Sequence, residues 1–252
     1  MVKILAFDSA ARVAAVAVTE EEQVLSLFLS DHGLTQSELL LPMAEQALRV
    51  SRTSLDDIGL FAVTVGPGSF TGVRIGVATV KGLCFGTGKP CAPVSSLEAL
   101  AEGLRPLPGM LCPVMDARRG NVYTALFRTD GGTLLRLTDD DLLPVDSLIR
   151  TLSERKMPVC FAGDAALLVA ERAARLAPEL PVTPLPRALL RPSAAAVATC
   201  ALRLFRAGRC VTDEALQPVY LRPTQAERER LARTSPDSGP DTAGRKPCPP
   251  TA

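Results

Sequence analysis

The chain has 252 residues, enough to bury a substantial core as one large domain or two half-size ones. Its 28 Lys and Arg nearly cancel its 27 Asp and Glu, which excludes a strong overall field for nucleic acid or a membrane surface. Seven cysteines, at 84, 91, 112, 160, 200, 210 and 248, form no Cys-x-x-Cys pair, and most sit in apolar runs. They read as reduced core thiols of a cytoplasmic protein. Met1 to Asp8 enters a strand pattern directly, without the layout of a signal peptide, and no apolar stretch runs unbroken for the ~18 residues of a membrane span.

In chain order, Ile4 to Phe7 reads as a strand ending at Asp8-Ser9-Ala10. Val13 to Val18 is its hairpin partner, and Val24 to Leu29 a third strand beyond the acidic turn Glu20-Glu21-Glu22. Thr35 to Arg52 has helix formers with apolar residues at Leu40, Met43, Ala44, Ala47 and Leu48. Leu39, Leu41 and Val50 widen that stripe beyond one core-facing side. A strand at 60–65, a helix at 72–86, a short strand from Pro90 to Val94 and a helix from Ser95 to about Gly103 follow. A second module starts with strand Met110 to Met115, the polar turn from Asp116 to Asn121, strand Val122 to Arg128 and a third strand at Thr133 to Leu137. Helices are expected around 145–155, 164–177 and 192–207, with a strand at Val159 to Ala162. The repeated outline predicts an α/β fold of two similar sheet-plus-helix halves, 1–105 and 106–224, with a ligand cleft between them. Beyond Thr224 the composition turns to Arg, Glu, Ser, Pro and Gly, and 225–252 reads as a disordered tail.

The chain is organised around Val63 to Gly76, V-T-V-G-P-G-S-F-T-G-V-R-I-G. A strand feeding a Gly/Ser/Thr turn that opens a helix aims backbone N–H groups at one spot, which suits an anion. The same residues equally describe a tight strand-to-helix turn with Gly at positive φ and Ser or Thr as cap. The stretch is neither a P-loop, lacking Lys-Ser/Thr, nor a G-x-G-x-x-G fingerprint. Asp8 and Ser9, at the end of the first strand, together with Gly66, Gly68, Ser69 and Thr71, are the candidate nucleotide or anion contacts. The alternative for Asp8-Ser9 is an Asx-type contact within its own hairpin. His32, the one histidine, has no partner in sequence that would make it a catalytic base.

On the 72–86 helix, Val73, Val77, Val80 and Cys84 form an apolar stripe that should face the core. Gly72, Gly76, Thr79 and Gly86 fall on a separate side, flanked by Gly82, and Arg74 and Lys81 project together. Intrahelical Gly costs up to ~1 kcal/mol relative to Ala, so several imply a close neighbour that offsets the loss. That neighbour is either the 35–52 helix of the same chain or a partner. The candidate docking residues are Leu40, Met43, Ala47, Gly72, Arg74, Ile75, Gly76, Thr79 and Gly82.

The stretches F-D-S-A, G-P-G-S-F-T-G-V-R-I-G, D-A-R-R-G-N-V-Y and P-V-Y-L-R-P, in this order over roughly residues 1–223, resemble the TsaB (YeaZ) family. The resemblance implies an ASKHA fold (the actin, sugar-kinase and Hsp70 class) and a non-catalytic role in making N6-threonylcarbamoyladenosine in tRNAs that read ANN codons. It also implies a TsaD-like catalytic partner docked on the two N-terminal helices, a TsaE-like ATPase alongside, and TsaC as supplier of threonylcarbamoyl-adenylate. The resemblance also allows the isolated chain to pair with itself as a homodimer through the same helices, a choice the sequence leaves open. TsaD-like chains carry two metal-holding His at i and i+4 where this chain has Ser96 and Leu100, so no metal site and no catalytic residue are expected here. Asp116-Ala117-Arg118-Arg119 stands where those chains have a Gly-Gly turn for phosphate. No cofactor of its own is therefore expected, and any ATP or ADP would be shared at the partner interface, near Gly66 to Thr71. Arg118, Arg119 and Arg222 offer a small basic patch, with tRNA engaged mainly through the complex. The competing expectation is an ASKHA-type ATPase or phosphotransferase using Asp8 and the Gly66–Gly72 turn.

Overall fold

The computed structural model describes residues 1–221. Strands β1 (Lys3–Asp8) and β2 (Ala14–Glu20) are buried at nearly every position, because both faces of their sheet are covered. β3 (Gln23–Ser30) completes an antiparallel meander at the sheet edge, where its exposed positions alternate with covered ones. Helix α1 (Gln36–Val50) begins at a capping box, in which the Glu38 carboxylate accepts from the Thr35 backbone N–H at 2.8 Å. β4 (Ile58–Gly66) then pairs in parallel with β1, helix α2 (Phe70–Thr87) crosses back, and β5 (Cys91–Ser95) pairs in parallel with β4. The sheet order is β3-β2-β1-β4-β5.

Helix α3 (Ser96–Gly103) leads to the second sheet, made of β6 (Gly109–Asp116), β7 (Asn121–Thr124), β8 (Phe127–Thr129), β9 (Leu134–Arg136), β10 (Asp141–Pro144) and β11 (Val159–Ala162). The single strand expected at 122–128 is interrupted at Ala125-Leu126, yet β7 and β8 pair with β6 in one unbroken register. The interruption has a local cause. The Leu126 carbonyl accepts from Leu137 N at 2.7 Å, and its N–H donates to Thr138 Oγ1 at 2.8 Å. Leu126 thereby splits the outer strand too, into β9 on β8 and β10 on β7. Helix α4 (Val145–Arg155), strand β11 parallel to β6, and helix α5 (Ala166–Leu176) follow. An antiparallel meander, a helix, a parallel strand and a second helix thus occur twice, as expected of a duplicated α/β chain.

A 3-10 turn (Arg187–Leu190) leads into α6 (Ala194–Arg206). Although α6 falls within the 106–224 range expected for the second half, it packs on the first sheet. Val197, Ala201 and Leu202 join Ile4, Ala6, Leu60 and Ala92 in one buried cluster. Helices α1 and α2 cover the opposite face, with Leu40, Ala44 and Ala47 set against Leu5, Phe7, Val16 and Val18. The tail expected at 225–252, and Arg222 of the basic patch, lie outside the described residues. No helix among the described residues is long and apolar enough to cross a membrane.

Candidate functional site

The glycine-rich turn is folded tightly against its own chain. Gly66 has φ +114° and Gly68 φ +159°, conformations that side-chain-bearing residues rarely adopt. A Cβ on Gly66 would lie 2.5 Å from the Val219 carbonyl oxygen, and one on Gly68 2.3 Å from that of Ala10. Both approaches are fastened by hydrogen bonds, from Ser69 N to Ala10 O and from Val219 N to Val65 O, each 2.7 Å. The seam continues along α2, where a Cβ at position 72 would meet Ser9 O at 2.1 Å and one at 76 would meet Ser9 Oγ at 2.1 Å. Ser69 caps the helix, its Oγ accepting from Gly72 N at 3.3 Å. The glycines expected to open backbone to a phosphate instead let β1, α2 and the 219 segment close on one another. Ser69 and Thr71 remain exposed on the outside of the turn.

This geometry corrects the docking-residue expectation. Gly72 and Gly76 are buried against Ser9, while Leu40 and Ala47 belong to the core, so none of the four presents a free face. Lys81 does not project with Arg74 toward a partner: its Nζ donates to the carbonyl oxygens of Leu216 at 3.1 Å and Glu214 at 3.4 Å. The exposed stripe of α2 is Thr71, Arg74, Ala78, Gly82, Phe85 and Gly86, with Ile75, Thr79 and, from α1, Met43 half-covered beside it. A Cβ at Gly82 or Gly86 would meet nothing within 4 Å. Phe85 is 81% exposed, and Leu41 and Val50 on α1 are also exposed. Phe70 lies 4.9 Å from the Tyr220 ring between centroids, with the Arg74 guanidinium 5.2 Å from the Phe70 ring centre. Ala78, Phe85 and the Phe70–Tyr220 pair were not among the expected residues. The spacing of Ala78 and Phe85 from Ile75 and Gly82 marks the same helix face.

A separate cleft lies at the carboxyl ends of β1, β6 and β11, where open α/β sheets commonly bind ligands. Asp8, Ser96, Leu100, Met115 and Asp164 line it, and no residue of the glycine-rich turn does. Asp8 is 2% exposed. Burial raises its carboxyl to about 6, opposed by hydrogen bonds from Ala10 N and Thr64 Oγ1 at 3.1 Å each. The bond to Ala10 N is the Asx-type contact within the hairpin. Ser9, by contrast, faces the α2 seam. Ser96 and Leu100 stand together on α3 at the cleft, and the described residues include no group of three or more His, Cys, Asp or Glu placed to hold a metal ion. The Asp116–Gly120 turn is exposed at Asp116 and at Arg118 to Gly120. Arg118 and Arg119 both have positive φ, and Asp116 Oδ1 accepts from Arg118 N at 2.8 Å. His32 is exposed between β3 and α1.

The fold and the cleft define an α/β protein of two similar sheet-plus-helix halves, with its glycine-rich turn sealed. Over residues 35–229 the chain matches the family model described as TsaD, tRNA N6-adenosine threonylcarbamoyltransferase. It is 33% identical over 227 residues to the tRNA threonylcarbamoyladenosine biosynthesis protein TsaB of Escherichia coli strain K12, covering 87% of this chain and 94% of that one. With TsaB of Bacillus subtilis strain 168 it shares 34% identity over 160 residues, covering 64% and 70% of the two chains. YeaZ from Pseudomonas aeruginosa superposes with a TM-score of 0.72 at 25% identity, over 88% of this chain and all of the other. The chain belongs to the TsaB (YeaZ) family.

Proposed function

We propose that this chain is a non-catalytic scaffold subunit in the biosynthesis of N6-threonylcarbamoyladenosine in tRNAs reading ANN codons. It docks the outer faces of α1 and α2 onto a TsaD-like catalytic subunit and supports that subunit's active site, with a TsaE-like ATPase alongside. The observation that carries the reading is the exposed stripe of α2: Ala78, Gly82, Phe85 and Gly86 give a partner helix small residues to approach and an aromatic ring to bury. Membership of the TsaB family, and a match to the threonylcarbamoyltransferase family model over most of the chain, support a paralogous partner. In isolation the same stripe pairs two copies of this chain. Nucleotide, where the complex holds it, is shared at the interface beside exposed Ser69 and Thr71.

Mixing the chain with a TsaD-like subunit in sedimentation-velocity experiments tests this. Heterodimer formation by the native chain and at least about tenfold weaker association of Phe85→Glu and Gly82→Glu, with thermal midpoints no lower than the native chain's, is the expected result. Native-like association of both variants would move the interface elsewhere. The competing ATPase reading predicts Mg-ATP turnover by the isolated chain that disappears in Asp8→Ala, and such turnover would displace the scaffold proposal.

A further inference from the structure

The cleft at Asp8 has a volume of about 220 Å³. That is room for roughly seven waters at ~30 Å³ each, and less than the ~300–1,000 Å³ of pockets that take drug-sized ligands. Its charges are sorted by depth. On the floor, Asp8 and Ser96 are 2% and 1% exposed. Asp8 spends Oδ1 on Ala10 N and Thr64 Oγ1, and its Oδ2 makes no hydrogen bond among the described residues. Ser96 Oγ is buried with no partner at all among them. The free carboxylate oxygen of Asp8 is open to a ligand's hydrogen-bond donor, whereas the Ser96 hydroxyl is buried out of a ligand's reach.

The mouth carries guanidinium groups. Arg12 and Arg191 share Asp31, at 3.3 and 3.1 Å, which ties the β1–β2 turn to the segment entering α6. Arg187, also at the cavity, is exposed and forms no ion pair among the described residues. Asp164 stands on the opposite side, accepting from Asp116 N at 2.9 Å and without a cationic partner among the described residues. Leu100, Met115 and Leu167 supply apolar wall. Three carboxylates and three guanidinium groups cancel overall but leave a negative floor beneath a positive mouth. A polyphosphate would bring its charge to Asp8, so the arrangement opposes a nucleotide. It complements a compact dipole whose cation goes in first.

We infer that this cavity binds a zwitterion of amino-acid size, its ammonium on Asp8 Oδ2 and its carboxylate toward Arg187. The site is independent of the docking face on α1 and α2, and stands or falls without it.

The test uses the full chain, titrated calorimetrically and by amide NMR with a panel of L-α-amino acids at millimolar concentration. Putrescine, an amine without carboxylate, propionate, a carboxylate without amine, and Mg-ADP are titrated in parallel. At least one amino acid should bind saturably, perturbing amides of Asp8, Ser96 and Gly163, and should bind at least about tenfold more tightly than putrescine or propionate. Asp8→Asn, which keeps the shape of the floor, should weaken it at least about tenfold, and Leu167→Trp at the half-exposed wall should close the mouth. Equal binding of putrescine would reduce the site to a plain cation pocket. Saturable binding of Mg-ADP at these residues would make it a nucleotide cleft, and saturation by no amino acid would make it a water-filled void. Each of these three results overturns the inference.

Discussion

The inner and outer faces of α2 use the same residue for opposite ends. Gly72 and Gly76 point inward, where the missing Cβ lets Ser9 come within 2.1 Å of the position it would occupy. Gly82 and Gly86 point outward into open space, where the missing Cβ accommodates nothing within the chain. The inner pair is explained by the fold and the outer pair is not. Gly82 and Gly86 therefore carry a stability cost that nothing within the described chain offsets. The contrast shows that a small-residue stripe acquires meaning only once its neighbours are known.

The comparison breaks most severely at position 72. Gly72→Ala drives a methyl into the backbone carbonyl of Ser9, and a loss of about 3 kcal/mol in denaturant unfolding is expected. Gly76→Ala meets the Ser9 hydroxyl rather than backbone, with Ser9 Cβ and Val63 Cγ2 at 3.2 and 3.3 Å, and should lose less; Ser9→Ala should recover part of that loss in a double-mutant cycle. Purely additive losses would show that the seam is not the cause. The residue next to Ser9 gives the next effect. Asp8 in the folded state lies at about 6, above its ordinary 3.8, so the folded chain disfavours the ionised form. The penalty is absent below about pH 4, grows as pH rises, and is complete above about pH 6, where it reaches about 3 kcal/mol at most. Asp8→Asn should therefore stabilise the chain at pH 7 by up to that amount and lose the advantage toward pH 4, as read from unfolding midpoints against pH.

On the outer face the sign reverses. Gly82→Ala should gain up to ~1 kcal/mol of stability, since it removes an exposed intrahelical glycine without a clash, while weakening partner association. Phe85→Ser should stay within ~0.5 kcal/mol of the native stability, because the ring is almost wholly exposed, and still reduce association at least about tenfold. Stabilised Gly82→Ala with undiminished association would erase the distinction between the two faces.

Local pattern made most of the architecture legible. The 3.6-residue spacing of Val73, Val77, Val80 and Cys84 identified the core side of α2, and alternating composition located the strands of both meanders. What it could not show was distance across the chain. Gly76 owes its burial to Ser9, and Lys81 is spent on carbonyls of residues 214 and 216, contacts that no window around position 80 contains. β10 has no strand signal of its own, because it begins in Asp139-Asp140-Asp141, which has loop composition. It is an edge strand held by β7 rather than by its own propensity. The departures at Ser96 and Leu100 were visible, but the cavity they share with Asp8 was not, since its wall is assembled from β1, α3, β6 and the segment before α6.

The hydrogen bond from Val219 to Val65 also sets a timetable. During synthesis, β4 and its turn leave the ribosome more than a hundred residues before the strand of chain that seals Gly66, and α6, which covers Ile4 and Leu60, emerges almost as late. The amino-terminal sheet therefore waits with that face uncovered until residues far downstream have been made, so its folding is closed by a distant segment and not in the order it is read.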